Sequence, residues 1–168
     1  MSDAPPIWDF VLNYYRQQGV SEAAIALQDS MGVDVNMVLF LMWLAGGKRT
    51  LTEADVRTVS ETSKGWQHQV VVPLRGVRRL LKENAPLVEQ ETALAYRKKV
   101  QALELEGEQL QLNAMAGLVP SLKPGSAATA GDAARANLAG FAAVVGKPFP
   151  QPAVDGFVRA LKAAVGEA

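Results

Sequence analysis

Four basic residues in the segment LRGVRRLLK have the spacing to grip an anion. Arg75, Arg78, Arg79 and Lys82 stand at i, i+3, i+4 and i+7, so they share one helix face, with Leu74, Val77 and Leu81 opposite. Guanidinium groups in such an array can clamp a phosphate or carboxylate bidentately. No acid lies between Arg75 and Lys82. The competing reading is a solvated face, or one that bridges to Glu89, Glu91, Glu104, Glu106 and Glu108 on the next segment, since an amphipathic helix needs a polar side in any case. His68, the one histidine, follows Trp66 by two residues. Its ordinary pKa near neutrality suits a general acid or base, and the same residue also suits the rim of a core.

A third set is Gln28, Asp29, Asp34 and Asn36, gathered around a turn between two apolar segments. In the capping reading, Asp34 and Asn36 occupy a first helical turn, where spare amides need acceptors; Asp34 is placed to accept from Met37. Asn36 stands before nine apolar residues, Met37 to Ala45, and needs a buried partner. In the functional reading, Asp29 and Asp34 meet the arginine stripe across a cleft.

Other chemistries are excluded. The chain has no cysteine, which removes disulfides, thiolate metal sites and cysteine nucleophiles. A lone histidine without a carboxylate at helical spacing makes no recognisable metal site, and no cofactor is implied. GGKRT at 46–50 resembles the end of a phosphate-binding loop, but Arg49 stands where Ser or Thr is needed and no strand precedes it. Hydrolase-elbow, zinc-protease and helical di-iron patterns are missing. Lys plus Arg and Asp plus Glu balance at 17 each, which argues against nucleic acid as the main partner.

These residues must be positioned by helices. With 168 residues, 49% hydrophobic and 20% charged, the chain is expected to form one globular domain. Trp8, Val11, Leu12 and Tyr15 mark one stripe of a first helix, stopped at Gly19. Ser21 is an expected N-cap for a second, with Val20 and Ile25 stapled across it. The third spans 34–46 and ends at Gly46-Gly47. At ~1.5 Å per residue its nine apolar positions cover roughly 14 Å, about half the ~30 Å core of a bilayer, so it belongs at the centre of the fold. The helices carrying Trp8, Leu27 and Trp66 are its expected surround.

Thr52 opens a fourth helix with Val56, Val59, Ser63, Trp66 and Val70 on one face. Pro73 kinks it or restarts it, and Leu74, Val77 and Leu81 carry the buried face to about Asn84. The longest helix, 86–117, has its best seam at Ala93, Tyr96, Val100, Leu103, Gly107, Leu110 and Ala114. Residues 119–131 read as a linker. Asp132 is an expected cap for a sixth helix carrying Leu138, Phe141 and Val145. A seventh starts at Pro152 and carries Val154, Phe157, Val158, Leu161 and Val165. No strand is expected; VVV at 70–72 is the only β-like run. The predicted fold is all-α, orthogonal or bundle-like, about seven helices around the apolar helix 34–46. Its parts are a core at 5–117, the linker, and a C-terminal helical pair at 132–166.

The segments ALQDSMGVDVNMVLFLMWLA at 26–45, WQHQVVVPLRGVRRLLK at 66–82 and AYRKKVQALELEGEQLQL at 95–112 resemble, in that order, a proteobacterial family of short helical proteins known as a domain of unknown function. The resemblance implies a soluble helical bacterial protein and brings no activity or site residue. The opening MSDAPPIWDF has neither a basic segment nor a long apolar run, so the cytoplasm is the expected location. Two functional readings follow. One is a non-enzymatic interaction or scaffold protein, associating with itself or a protein partner through helix 86–117 or a detachable last helix. The other is a binder or enzyme for a small anionic ligand, with a cleft formed by Trp43, Trp66, His68 and the Arg75, Arg78 and Arg79 stripe. No residue set commits to a reaction, which favours the first.

Overall fold

The apolar run at 37–45 forms the axis around which the other helices pack. The computed structural model of the protein describes residues 5–83 and 85–168; Met1 to Ala4 and Asn84 lie outside the described residues, Asn84 being the expected end of a helix. The helices are α1 (Ile7–Tyr15), α2 (Val20–Met31), α3 (Val35–Gly46), α4 (Glu53–Trp66), α5 (Val72–Glu83), α6 (Gln90–Leu118), α7 (Ala130–Val145) and α8 (Gln151–Val165). A π turn, Gln67–Val71, joins α4 to α5 without a break, so these eight segments make seven rods among the described residues. The fold is all-α, as its periodicities predict. Two short strands, β1 (Arg49–Thr50) and β2 (Gly125–Ser126), add one antiparallel ladder.

In α3 every residue from Met37 to Ala45 except Trp43 is buried. An evenly apolar helix has no side to give to water, so it needs neighbours all round. The main neighbour is α7, whose Ala130, Ala133 and Ala134 are fully covered and let the two backbones come close. The end of α6 and helices α1, α8 and α2 complete the surround. The expectation that the helix carrying Trp66 flanks α3 is corrected: α4 packs mainly on α7 and the π turn. The side chain of Asn137, fully buried on α7, satisfies three backbone groups there. Its Oδ1 accepts from Leu51 N at 2.9 Å, and its Nδ2 donates to Arg49 O at 3.0 Å and Leu41 O at 3.3 Å. Leaving those groups unpaired would cost about 1–3 kcal/mol each.

Residues 119–131 are more built than a linker. A short 3₁₀ turn buries Val119 and Leu122, and Gly125 pairs with Thr50 in the ladder. A Cβ at Gly125 would meet Thr50 Oγ1 at 2.7 Å, so any other residue there would make the Thr50 side chain shift. Thr129, not Asp132, caps α7, by accepting from Asp132 N at 3.0 Å. The carboxylate of Glu167 then takes the next two amides, Ala130 N at 2.9 Å and Gly131 N at 3.0 Å, and those bonds hold its pKa below the usual carboxylate range. The last helix is part of the core rather than detachable: Phe157 and Leu161 are buried, and Tyr14 Oη donates to Phe157 O at 2.9 Å.

Several faces are rotated from their expected positions. Helix α1 buries Ile7, Phe10, Val11 and Tyr14, leaving Leu12 and Tyr15 exposed. Helix α2 begins two residues early, with Gly19 at φ +87° as its cap in place of Ser21. Val20 is buried, Ile25 is exposed, and Ser21 Oγ donates to Glu22, so neither the Ser21 cap nor the staple forms. The π turn inserts an extra residue per turn ahead of Pro73, which has no amide to give. The buried face therefore steps from Trp66 and Val70 to Gln67 and Val71, and Trp66 is left exposed. Among the described residues no helix is long and apolar enough to cross a membrane.

Candidate functional site

Helix α6 would bury two rows of its heptad if hydrophobicity alone set its rotation. It buries one. Ala93, Val100 and Gly107 face inward, whereas Tyr96, Leu103 and Leu110 face solvent. In their place the helix turns Glu104 and Gln111 inward. Both sit seven residues apart, on the row next to the buried one, and each meets a polar partner that repays its burial.

Gln111 closes a ring with the start of α3. Asn36 Nδ2 donates to Gln111 Oε1 at 2.8 Å, and Gln111 Nε2 donates to Asp34 Oδ2 at 2.7 Å. Asp34 Oδ1 accepts from Asn36 N at 2.9 Å. The cap thus falls on the amide of Asn36, not on that of Met37, and Asn36 is buried with a partner on α6. Burial pushes the Asp34 carboxyl above its ordinary pKa, against the lowering effect of the Gln111 and Asn36 bonds.

Glu104 holds α5. Arg75 Nε donates to Glu104 Oε1 at 3.0 Å, Arg78 donates to both Glu104 oxygens, and Arg75 Nη2 reaches Glu108 Oε1 at 3.0 Å. Burial alone would raise the Glu104 pKa, but the bonds from Arg78 and Arg75 outweigh it, and Glu104 sits below the usual range. Glu108 goes the other way: burial raises it despite Arg75. Burial and Glu108 likewise raise Tyr15. Among the described residues Arg79 makes one long pair, 3.7 Å to Asp29, with both side chains exposed.

A cleft of about 620 Å³ opens between α1–α3 and the α5–α6 hairpin, lined by Arg75, Arg78 and Arg79 with Gln28, Asn36, Tyr15, Glu104 and Glu108. Three arginines and two of the turn residues are therefore brought together. The remaining predicted cleft residues lie elsewhere. His68 is exposed and does not line the cleft. Trp66 donates its Nε1 to Gly107 O at 2.9 Å, which leaves the ring at the hairpin's base. Trp43 belongs to a separate hollow of about 680 Å³ with Pro5, Asp9 and Val165. There it donates to Pro5 O at 2.9 Å and carries the Arg49 guanidinium 5.4 Å from its ring centroid. Burial lowers the Arg49 pKa, and among the described residues its Nε has no hydrogen-bond partner. Glu104 and Glu108 were two of the five acids the stripe was expected to bridge to, whereas the inward turn of Gln111 was missed because it reads as polar surface; its seven-residue spacing from Glu104 was the available signal. Among the described residues no three acidic or histidine side chains are grouped to hold a metal ion.

Chemically, the cleft holds charges that already neutralise one another. Its two best-placed arginines are bonded to carboxylates, so an incoming anion would have to displace Glu104 or Glu108. The opposite side of the hairpin differs. At roughly 100° per residue, Val77 and Leu80 on α5 point away from Arg75 and Arg78, and Tyr96, Leu103 and Leu110 on α6 point away from Glu108 and Leu105. These five side chains are 43–57% exposed and lie on the sides of the two helices turned from the cleft, as an apolar flank whose main row is Tyr96, Leu103 and Leu110 on α6.

No curated protein and no solved structure matches this chain. A family model does match residues 6–115, more than half of the chain and every element of the cleft and hairpin except the last few residues of α6. The chain belongs to the family described as "Protein of unknown function (DUF2390)".

Proposed function

We propose that the protein is a non-enzymatic interaction module whose docking element is the α5–α6 hairpin. The observation that carries this reading is the flank of Val77, Leu80, Tyr96, Leu103 and Leu110. Large apolar side chains scattered singly on a surface need no explanation, but a row of three at seven-residue spacing on one helix, with two more exposed on the helix it pairs with, marks a contact surface. Helix α5 reinforces it: none of its residues is buried within the chain, although its apolar and basic sides are well separated. A helix with that composition leaves part of its apolar side for something else to cover. The proposed setting is the cytoplasm, expected from the opening MSDAPPIWDF, of a bacterium, as the family resemblance implies.

Ligand capture in the cleft is the weaker reading, because Arg75 and Arg78 are committed to Glu104 and Glu108. A photo-crosslinking residue placed at Leu103 in the host, with Glu61 on α4 as an exposed control, tests the interaction reading. Adducts from position 103 and none from 61 are expected. Absence of any adduct from position 103 would contradict it.

A further inference from the structure

The flank on α6 has a pattern that fits a copy of itself. Tyr96, Leu103 and Leu110 recur every seven residues, and between them on the same side lie Lys99 and Glu106. Both are exposed, and among the described residues neither is paired within the chain. Lys99 and Glu106 stand symmetrically about a point between Ala102 and Leu103. A two-fold axis through that point, with two α6 helices antiparallel, sets Lys99 of each copy against Glu106 of the other. The same operation brings Leu103 against the partner copy's Leu103 and Tyr96 beside the partner copy's Leu110. A C₂ interface must be self-complementary in this way, and few stripes are.

We propose that the partner of this flank is a second copy of the chain, packed antiparallel through α6 with its axis at Leu103; this rests on the interaction reading above. The five flank residues offer on the order of 450 Å² of apolar surface per chain, within the ~300–600 Å² range of the largest patches on monomers, which are often functional. That is over half of the ~800 Å² a standard interface buries per partner, and Val77 and Leu80 widen it beyond the α6 seam. Parallel pairing would instead set Lys99 against Lys99 and Glu106 against Glu106, so charge selects the antiparallel arrangement.

The absence of cysteine makes the test direct. In the full-length chain, L103C places one thiol at the axis, and mild oxidation is expected to give a disulfide-linked dimer; E61C, on exposed α4, is expected to remain a monomer. Equilibrium sedimentation is expected to show a wild-type dimer. K99E should weaken it about five-fold or more, and K99E/E106K should restore it, a rescue that a merely structural effect on folding would not give. Circular dichroism of each variant confirms that its helices form.

A wild-type chain that sediments as a monomer up to its solubility limit would overturn the proposal. So would a dimer whose K99E defect E106K does not rescue. The two readings fail separately. If position 103 crosslinks in cells to a different protein while the purified chain is monomeric, the second copy is wrong and the interaction module stands. If it crosslinks to nothing and the chain is monomeric, both are wrong.

Discussion

Helices α3 and α5 are twelve residues each, yet α3 buries nine of them and α5 buries none. The first belongs to a base of α1–α4, α7, α8 and the end of α6, held by an apolar core. The second belongs to an arm, paired with the N-terminal two-thirds of α6, and held by charged side chains. An apolar core is cohesive, but apolar contacts are non-directional and tolerate repacking. A seam of Arg75, Arg78 and Glu104 fixes rotation, because guanidinium and carboxylate must meet in geometry. Fixing α6 that way turns Tyr96, Leu103 and Leu110 outward. The ion seam that locks the arm also creates its apolar flank.

The largest effect is expected in the base. Phe40→Ala should lower the global stability by about 3–5 kcal/mol, measured by urea unfolding, because Phe40 is fully enclosed by helices that cannot all collapse into the void. If the arm shared that core, its amides would lose hydrogen-exchange protection by the same free energy. We expect the arm to lose less, since its weakest opening is already local.

Glu104→Gln comes next. Leaving Arg75 and Arg78 facing a neutral amide should cost about 3 kcal/mol, read as lost exchange protection in α5 with α3 and α7 unchanged. Equal loss in α3 would erase the distinction between base and arm. Asn36→Ala is the smaller, sharpening case. It removes one bond of the ring joining the start of α3 to the end of α6 and should cost about 1–3 kcal/mol, read first as lost exchange protection in α3, because Asn36, Asp34 and Gln111 all lie in the base.

The base was the legible part in sequence terms. Nine consecutive apolar residues closed by Asp34 and Gly46-Gly47 permit one position for α3, and Thr52 is the cap of α4, accepting from Asp55 N at 3.1 Å. The arm was legible in extent but not in rotation. Periodicity placed Trp66, Val77, Tyr96 and Leu103 inside, and each is exposed. Two physical causes account for it. The π turn at Gln67–Val71 adds a residue that a 3.6-residue period cannot register, and the preference of Glu104 and Gln111 for partners across the seam overrides the apolar heptad. Neither the strand pair nor the Gly19 cap of α2 was legible. A two-residue ladder has no periodicity, and Ser21 outscores Gly19 as a cap on local preference alone.

The cleft's composition was half legible. Arg75, Arg78 and Arg79 do share one face and one cleft with Gln28 and Asn36. Their partners Glu104 and Glu108 were among five acids that spacing could not rank. His68 and Trp43 were drawn to the cleft by residue type, and the fold directs them elsewhere.

The division between base and arm is tested most directly by acid. The Glu104 carboxyl titrates below its unfolded value of about 4.3, so its stabilisation is complete above that pH and is lost as pH falls through the lower folded value. Asp34 and Glu108 are raised, so their burial opposes folding at neutral pH and that cost fades on acidification. Exchange protection of α5 and α3 should therefore be followed from neutral pH to below pH ~4 in Leu103→Asp chains, with and without Glu104→Gln, so that self-association contributes nothing. The account predicts that the difference Glu104 makes to α5 shrinks toward zero across that range, while α3 shows no such difference at any pH. Parallel loss of protection in α5 and α3, with or without Glu104, would contradict it.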